Sequence, residues 1–330
     1  MVYKRGVNMT RPVRSCSVHT APALAADLQR YGPLETLRSP VSLPVARRYC
    51  AQLARQHLPN FMFLRLVLPR GLQQHLWNIF AFWRWGKDLS IHVHDPRSGL
   101  ALLDWWHRLL QECYAGQAAH PVFVALKETI ETLKIPRDPL ADLIAGFRQD
   151  QQVTRYYTEE ELIAYCRYCH NPLGRLLLYL GECATPPACQ VSDYICTGAA
   201  WVVFCRDLAM DTRSGRIHLP LARAARFGYQ EADFFSEKLN DAFRLFLEAE
   251  LSTAEGWLRA GASGLPLLPR WLQLIGGIVL GEAVEVIRRI RKRNYDVWSQ
   301  RPEPPQWEKW LLFARVWWLC RRGKIAALCR

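Results

Sequence analysis

The sequence has little of what secreted, membrane-spanning or β-rich proteins carry. Alternation of apolar and polar residues, which marks half-buried strands, is nearly absent. The N-terminus is basic but lacks the apolar segment of a secretory signal. The longest apolar stretch, within residues 271–287, is interrupted by Glu282 and Glu285 before it is long enough to span a bilayer. The eleven cysteines do not indicate a disulfide framework, because the chain is long and several of them lie in apolar helical patterns.

Apolar residues at spacings of three and four are, in contrast, abundant. Half of the 330 residues are hydrophobic, and the helical periodicity runs through almost the whole chain. It predicts, among others, one helix over residues 191–211 and one over residues 231–261. We therefore predict an all-α protein with a helical domain over residues 46–300. A basic, partly disordered extension would precede it over residues 1–45, and a basic amphipathic helix or tail would follow over residues 301–330.

The net charge of +13 favours an anionic partner. Most of the excess lies near the two ends of the chain. We expect no nucleic acid among the partners, because the sequence has no recognisable binding module, zinc pattern or aromatic stacking platform. In the C-terminal segment Trp and Leu alternate with Arg and Lys, which is typical of a helix that lies on an anionic membrane surface. The alternative is a terminal helix that packs on the body of the protein. We expect a cytoplasmic location, at the inner face of a membrane if the C-terminal segment docks there.

Two carboxylates follow an apolar helical stretch at the centre of the chain. Asp207 and Asp211 are four residues apart and are expected to project from one helix face. The apolar residues just before them, including Trp201 and Phe204, argue for a buried position. The alternative is a pair of solvated aspartates at an exposed helix end.

The stretch "DLAMDTRSGRIHLP" around these aspartates resembles the second aspartate motif of the squalene/phytoene synthase family. The resemblance is closest to the bacterial branch that makes squalene or hydroxysqualene for hopanoids, and it covers about residues 55–305. The segment "NFMFLRLVLPRGLQQHLWNIFAFWRWGKDL" is similar to the family's first aspartate helix. Later landmarks of the family are matched by "FRQDQQVTRY", "YCRYCHNPLGRLLLYL" and "ARFGYQEADF".

The resemblance implies an isoprenoid-synthase fold around a deep apolar cavity. In the family, two aspartate motifs face each other and hold Mg²⁺ ions, which neutralise the diphosphate of farnesyl or presqualene diphosphate and assist its departure. The resemblance therefore implies a prenyltransferase of the hydroxysqualene-synthase type in squalene and hopanoid biosynthesis. Which substrate and which step apply is left open, because cavity depth cannot be read from spacing.

The first motif departs from the family pattern of Asp-Asp-x-x-Asp. Its three acidic positions are occupied here by Lys87, Asp88 and Ile91, although the preceding Arg84 is kept. In the second motif the family's Asn and Gln are replaced by Val203 and Arg206, and the tyrosine of its Gly-Arg-Ile-Tyr run is His218. These changes remove two carboxylates and add positive charge where metal cations would bind, so fewer Mg²⁺ ions are expected than in typical members.

The resemblance assigns a role to each residue that matches a family position. The predicted catalytic residues are Tyr165, Asp207 and Asp211. The predicted diphosphate ligands are Arg84, Lys87, Asn171, Arg206 and Arg216. The predicted metal ligands are Asp88, Asp207 and Asp211.

Three interpretations of the altered motifs remain open. In the first, Arg84, Lys87 and Arg206 replace some of the magnesium and the protein is an enzyme. In the second, it is a catalytically silent homologue that binds a prenyl diphosphate or partners an active paralogous synthase. In the third, Asp88, His92, His94 and Asp95 form a different metal site. Tyr165 has an alternative of its own, that of a core aromatic residue with a satisfied hydroxyl group.

Overall fold

The computed structural model describes residues 22–33, 41–58, 61–93 and 95–329. They form sixteen α-helices, joined by loops and three short 3₁₀ turns. The first eight are α1 Pro22–Tyr31, α2 Leu43–His57, α3 Phe61–Val67, α4 Gln73–Ile91, α5 Pro96–Tyr114, α6 Pro121–Leu133, α7 Asp138–Gln152 and α8 Glu159–Cys169. The remaining eight are α9 Asn171–Leu180, α10 Pro186–Arg206, α11 Leu208–Arg213, α12 Leu221–Arg226, α13 Glu231–Phe235, α14 Asp241–Gly264, α15 Arg270–Lys292 and α16 Gln306–Arg321.

The prediction of an all-α fold is confirmed. Within the described ranges the β-structure is limited to an isolated parallel bridge between Arg155 and Ile217. Local sequence explains where several helices begin. The Thr158 side chain accepts a hydrogen bond from the Glu161 backbone N–H at the start of α8, and Thr185 caps α10 in the same way through Ala188. Three glutamates in the first turn of α8 place negative charge at the positive end of the helix dipole, which further stabilises the helix.

The helices pack around two large apolar clusters. One lies in the N-terminal half and contains the stacked rings of Trp85 and Trp106, which α4 and α5 contribute. The other lies in the C-terminal half, where α10 packs along α14 and buries Trp201 and Phe246 completely. A third, smaller cluster includes Trp77 of α4, and half-buried side chains of α9 and α15 pack against it. The helices that carry the two aspartate-motif segments, α4 and α10–α11, therefore belong to different halves of the core.

The predicted helices over residues 191–211 and 231–261 are broken in the structure. The helix expected over residues 191–211 is interrupted at Asp207, which ends α10 and precedes α11. This break coincides with ion pairs that hold the Asp207 side chain, described below. The helix expected over residues 231–261 is likewise interrupted, because the Asn240 side chain accepts a hydrogen bond from the Phe243 backbone N–H and starts a new helix.

The two terminal segments pack against the rest of the chain. The predicted domain start at residue 46 falls inside α2, and Leu24 and Tyr31 of α1 are buried in the N-terminal cluster. At the other end, α16 packs on α15 and buries Val316 and Leu319. Residues 1–21, at the start of the predicted extension, lie outside the described residues.

Among the helices of the described residues, one, α10, is long and apolar enough to cross a membrane by length and composition. This helix differs from the longest apolar stretch of the sequence, residues 271–287, which was the best candidate for a membrane span. Most of α10 is buried against other helices of the protein, chiefly α14, as expected for a core helix.

A buried carboxylate links α14 to α10 and α12. Glu250 is fully buried, and its side chain accepts hydrogen bonds from the Trp201 indole N–H (2.7 Å) and from Arg223 (3.2 Å). Burial raises the pKa of Glu250 to about 7, although Arg223 and Trp201 oppose the increase. Its ordinary pKa is 4.5. Between pH 4.5 and about 7, the folded protein therefore keeps a proton on Glu250 that the unfolded chain has released.

The Glu250→Gln variant should gain stability relative to the unmodified protein as the pH rises from about 5 to about 8. Stability from the protonated Glu250 is complete below pH 4.5 and is lost as the pH rises through about 7. The relative change should be on the order of 3 kcal/mol, measured as the difference in unfolding free energy in urea. The control is Glu131→Gln, which removes an exposed carboxylate. A pH-independent difference between Glu250→Gln and the unmodified protein would contradict this assignment.

Candidate functional site

The junction between α10 and α11 presents a carboxylate held by two arginines. Asp207 is buried, and each of its two oxygens accepts hydrogen bonds from both Arg206 and Arg301. The N···O distances are 2.7 and 2.8 Å for Arg206 and 2.7 and 3.0 Å for Arg301. This is a doubly bidentate arrangement, the strongest geometry of charge-assisted hydrogen bonding available to a carboxylate.

The two guanidinium groups keep Asp207 ionised. Burial raises the pKa of Asp207, but the hydrogen bonds and charges of Arg206 and Arg301 outweigh burial and bring the pKa below its usual value. The three side chains together carry one net positive charge. Arg301 also pairs with Glu303 and lies close enough to Asp211 to feel its charge.

Asp211 lies one turn after Asp207 and contacts a histidine. The Asp211 backbone N–H donates to the Asp207 carbonyl (2.9 Å), so helical bonding continues across the break and keeps the two aspartates in one turn. The Asp211 carboxylate lies 2.9 Å from Nδ1 of His218. The sequence predicted that both carboxylates project from one helix face; the backbone keeps the two residues one turn apart, and their carboxylates have different partners.

His218 is enclosed by aromatic rings. Its imidazole stacks on Phe204 with ring centroids 4.8 Å apart, and it also stacks on Tyr156 and Tyr165 at 5.8 Å. His170 contacts Phe204 and Tyr165 edge-on from the other side. These rings form an aromatic cluster next to the second aspartate motif.

Tyr165 joins the aromatic cluster to a second carboxylate. Its hydroxyl group donates to Asp150 Oδ1 at 2.6 Å, and Arg216 donates to the Asp150 backbone carbonyl at 2.7 Å. Burial raises the pKa of Asp150, and the Tyr165 hydrogen bond together with the charges of Arg216, His218 and Lys87 opposes the increase. Tyr165 and Arg216, both predicted from sequence, therefore meet at Asp150.

Lys87 and Ile91 share an exposed face of α4. The Lys87 ammonium group lies 5.1 Å from the centroid of the Trp83 ring, and Ile91 is 47% exposed. Burial lowers the pKa of the half-buried His170 and raises that of Asp150, and the charge of Lys87 lowers both, so Lys87 lies near these two side chains. The two altered positions of the first motif therefore contribute one cation and one apolar side chain.

Asp88 belongs to a different group of side chains. Its carboxylate accepts a hydrogen bond from Arg84 Nε (2.7 Å), and its other oxygen lies 3.6 Å from His92. Asp88, Arg84 and His92 line a cavity of about 40 Å³ next to Asp27 of α1. The predicted roles of Arg84 in diphosphate binding and of Asp88 in metal binding stay predictions, and the structure pairs the two with each other.

The alternative metal site around Asp88 involves the same region. Asp88 and His92 do face each other, as their spacing of four predicted. Asp95, however, caps α5 and accepts hydrogen bonds from the backbone and side chain of Ser98. His94 lies outside the described residues. The structure therefore supports the pairing of Asp88 with His92 and gives Asp95 a role in helix capping.

Asn171 is buried at the start of α9. Its side-chain oxygen accepts a hydrogen bond from Thr197 at 3.1 Å. It lines an open groove between α8, α9 and α10, together with the ion pair of Arg175 and Asp193. Its role in diphosphate binding stays a prediction.

The side chains present do not fit a cluster of magnesium ions. Such a cluster needs several free carboxylate oxygens, because Mg²⁺ binds oxygen in near-octahedral geometry. Both oxygens of Asp207 already accept hydrogen bonds from two arginines, Asp211 is paired with His218, and Asp88 with Arg84. Over the described part of the chain, no three His, Cys, Asp or Glu side chains are grouped closely enough to hold one metal ion.

Three charged residues of this region were not predicted from the sequence to belong to the site. Asp150 lies within the segment "FRQDQQVTRY", whose resemblance to the family assigns it no role. Arg301 is 94 positions from Asp207, and nothing in the sequence pairs them. Glu282 of α15 lies near Arg206 and Lys309; burial raises its pKa and those two cations oppose the increase. An acidic residue within the apolar run of α15 was the only signal of a polar site there.

Comparisons with known proteins agree on one family. A family model described as squalene/phytoene synthase matches residues 54–310. Among curated relatives, the 15-cis-phytoene synthase of Synechococcus elongatus is 28% identical over 293 residues, which cover 84% of this chain and 94% of that protein.

Solved structures show the same relationship. Squalene synthase HpnC from Alicyclobacillus acidocaldarius superimposes with a TM-score of 0.73 and 31% identity, covering 78% of this chain and 97% of that one. A dehydrosqualene synthase in complex with ligand gives a TM-score of 0.76 at 20% identity, covering 85% and 98% of the two chains, and shows the fold alone. The predictions of the isoprenoid-synthase fold, the family and the closeness to the bacterial squalene synthase branch are confirmed.

Replacing Tyr165 by Phe should destabilise the protein, since it leaves the Asp150 carboxylate without its hydrogen-bond donor. The expected loss is about 1–3 kcal/mol in unfolding free energy. The matched control is Tyr168→Phe, because Tyr168 lies three positions further along α8 and is exposed. Equal, small effects of the two substitutions would show that the hydrogen bond to Asp150 is energetically unimportant.

Proposed function

This chain belongs to the squalene/phytoene synthase family, and we propose that it converts farnesyl or presqualene diphosphate into a hydroxysqualene-type product, or into a squalene-type product when a hydride donor is supplied. Members of the family are prenyltransferase-like enzymes that make squalene or phytoene, and they place the chain in isoprenoid biosynthesis. The family ionises prenyl diphosphates and generally uses a divalent metal. What distinguishes this chain is the arrangement of charge around its second aspartate motif.

The substrate class is inferred from the relatives. The 31% identity with a bacterial squalene synthase supports a substrate built from C15 units. The curated relatives named phytoene synthase, at 28% identity or less, are the reason for testing longer chains as well.

The observation that carries the proposal is the shared carboxylate of Asp207. A guanidinium group has five N–H donors, and Arg206 donates hydrogen bonds from two of its nitrogens to Asp207. The remaining donors are held in place, because the ion pair fixes the orientation of the group. Arg206, Arg301 and Lys87 therefore provide positive charge for a diphosphate where other members of the family use carboxylates and metal. The proposed reaction assigns no step to Mg²⁺, of which the sequence predicts fewer ions than in typical members.

The aromatic cluster suits the carbocation that follows. When the C–O bond to the diphosphate breaks, the leaving group keeps the electron pair and a carbocation remains. The faces of Tyr165 and Phe204 offer negative π-density to such a cation, and aromatic enclosure restricts access of water. Tyr165 is therefore compatible with both interpretations: it occupies the predicted catalytic position, and it is a buried aromatic residue whose hydroxyl group is hydrogen-bonded.

His218 and Asp211 can accept the proton that hydroxysqualene formation releases. The Asp211 carboxylate accepts from Nδ1–H of His218, which leaves Nε2 free to act as a base. A water molecule that adds to the cation forms a C–O bond and passes one proton to this nitrogen. The product is then a neutral alcohol, and charge and atoms balance.

A second candidate function has its own support. Asp207 is fully occupied by arginines and Asp88 is paired with Arg84, so both motifs have lost free carboxylates. A catalytically silent homologue that binds a prenyl diphosphate, or that assists an active paralogous synthase, would need no more than the cationic groups.

Turnover should be measured with presqualene diphosphate, farnesyl diphosphate and a longer prenyl diphosphate, each supplied separately. Pyrophosphate release and the lipid product are followed together. We expect turnover of a C15-derived substrate, and a loss of about 10²–10³-fold in kcat for Arg206→Gln, as is typical when one donor to a developing anion is removed.

Arg175→Gln is the matched control, because Arg175 also forms a bidentate pair with an aspartate, but in the groove beside α9. It should leave kcat unchanged. A folded, unmodified protein that releases no pyrophosphate from any of the substrates would exclude the proposed enzyme. Binding without turnover would then establish the silent homologue.

A further inference from the structure

Helix α16 exposes a continuous row of large apolar side chains. Trp307, Trp310, Leu311, Trp317 and Trp318 are each between 40% and 63% exposed. Their spacings of three, four and seven positions put them on one side of the helix. We call these five residues the α16 aromatic face.

The aromatic face is not the side that packs on the protein. Val316, Leu319 and Cys320 occupy the opposite side of α16 and are buried. The helix is therefore apolar on both sides, although only one of them contacts α15. A soluble surface helix normally turns a polar side to water, and a contiguous exposed apolar patch marks an interaction site.

Basic residues accompany the aromatic face. The guanidinium groups of Arg321 and Arg322 lie 4.0 and 3.9 Å from the centroids of the Trp317 and Trp318 rings. Arg315 is exposed between the two pairs of tryptophans. Residues 301–330 contain seven Lys and Arg against two Glu, which gives this segment a net charge of +5.

The position of α16 connects this surface with the candidate site. The helix follows directly on the segment of Arg301, whose side chain binds Asp207. In its first turns, Lys309 lies close enough to Glu282 to affect its pKa, as does Arg206 of the second motif. The aromatic face therefore begins next to the charged groups of the site.

We propose that the α16 aromatic face binds the surface of an anionic lipid membrane, with the helix lying in the interface plane. Trp rings favour the region between head groups and acyl chains, and Arg and Lys favour anionic head groups. Charge complementarity selects a lipid surface over a second copy of this chain, because two such faces would bring like charges together. The proposal does not depend on catalytic activity.

The test is flotation of the purified full-length protein with lipid vesicles. One set contains phosphatidylcholine alone, and the other contains phosphatidylcholine mixed with phosphatidylglycerol. We expect the protein to float with the anionic vesicles and to be released by high salt. Replacing both Trp310 and Trp318 by Ser should lower the bound fraction at least tenfold. Arg321→Gln together with Arg322→Gln should lower binding to the anionic vesicles roughly tenfold or more.

The matched control is Leu245→Ser combined with Leu267→Ser. These leucines are exposed to a similar degree, on α14 and on the turn that precedes α15. The control should bind as the unmodified protein does. Equal loss of binding in the control, or no flotation of the unmodified protein, would overturn the proposal. A stable dimer that the Trp310/Trp318 variant abolishes, without vesicle binding, would identify a second copy of the chain as the occupant and would also overturn it.

Discussion

The arrangement of the site depends on one carboxylate shared by two arginines. Asp207 ends α10, and its two oxygens bind Arg206 from the same junction and Arg301 from the segment between α15 and α16. This contact joins the second aspartate motif to the C-terminal segment. Without Asp207 the two guanidinium groups would be held close together as like charges, so the three groups constrain one another. The site is thus specified partly by a residue 94 positions away.

The same contact changes the electrostatic character of the site. In a metal-dependent site, carboxylates attract cations that in turn bind the diphosphate. In the proposed function the cations belong to the protein, as the side chains of Arg206, Arg301 and Lys87. Protein cations are fixed in position, whereas a metal cluster has to assemble on binding. The aromatic cluster around His218 contacts Asp211 of the same motif, so in the proposed function the anion and the carbocation would be held by different surfaces.

Much of this could be predicted from the sequence. Helical periodicity established the all-α fold, and the motif around Asp207 and Asp211 located one side of the site. The helix breaks were missed, because spacing alone does not reveal that a tertiary ion pair ends α10 at Asp207 or that Asn240 starts a helix. The spacing of four did predict that Asp88 faces His92. Arg84 and Asp88 have the same spacing, and so have Lys87 and Ile91, so the first motif divides between two faces of α4.

Other features of the site depend on long-range packing. The pairing of Asp150 with Tyr165 joins α7 to α8, and a hydrophobic pattern does not show which carboxylate a buried hydroxyl group will find. The contact between Arg301 and Asp207 requires α15 to return the chain to the end of α10. The hydrophobic pattern of α16 also does not predict that its tryptophans are exposed, because the helix is apolar on both sides. Only the structure shows which side is covered.

The central claim is that side-chain cations hold the diphosphate, and the most direct test measures binding of a non-reactive farnesyl diphosphate analogue. Isothermal titration with the thiolodiphosphate would be carried out in EDTA and in Mg²⁺. The account predicts similar affinities in both, and a loss of about tenfold or more in EDTA when Arg206 is replaced by Gln, since charge-assisted hydrogen bonds are lost. Binding that appears only in Mg²⁺ would contradict it, because Asp207 would then have to exchange its arginines for metal.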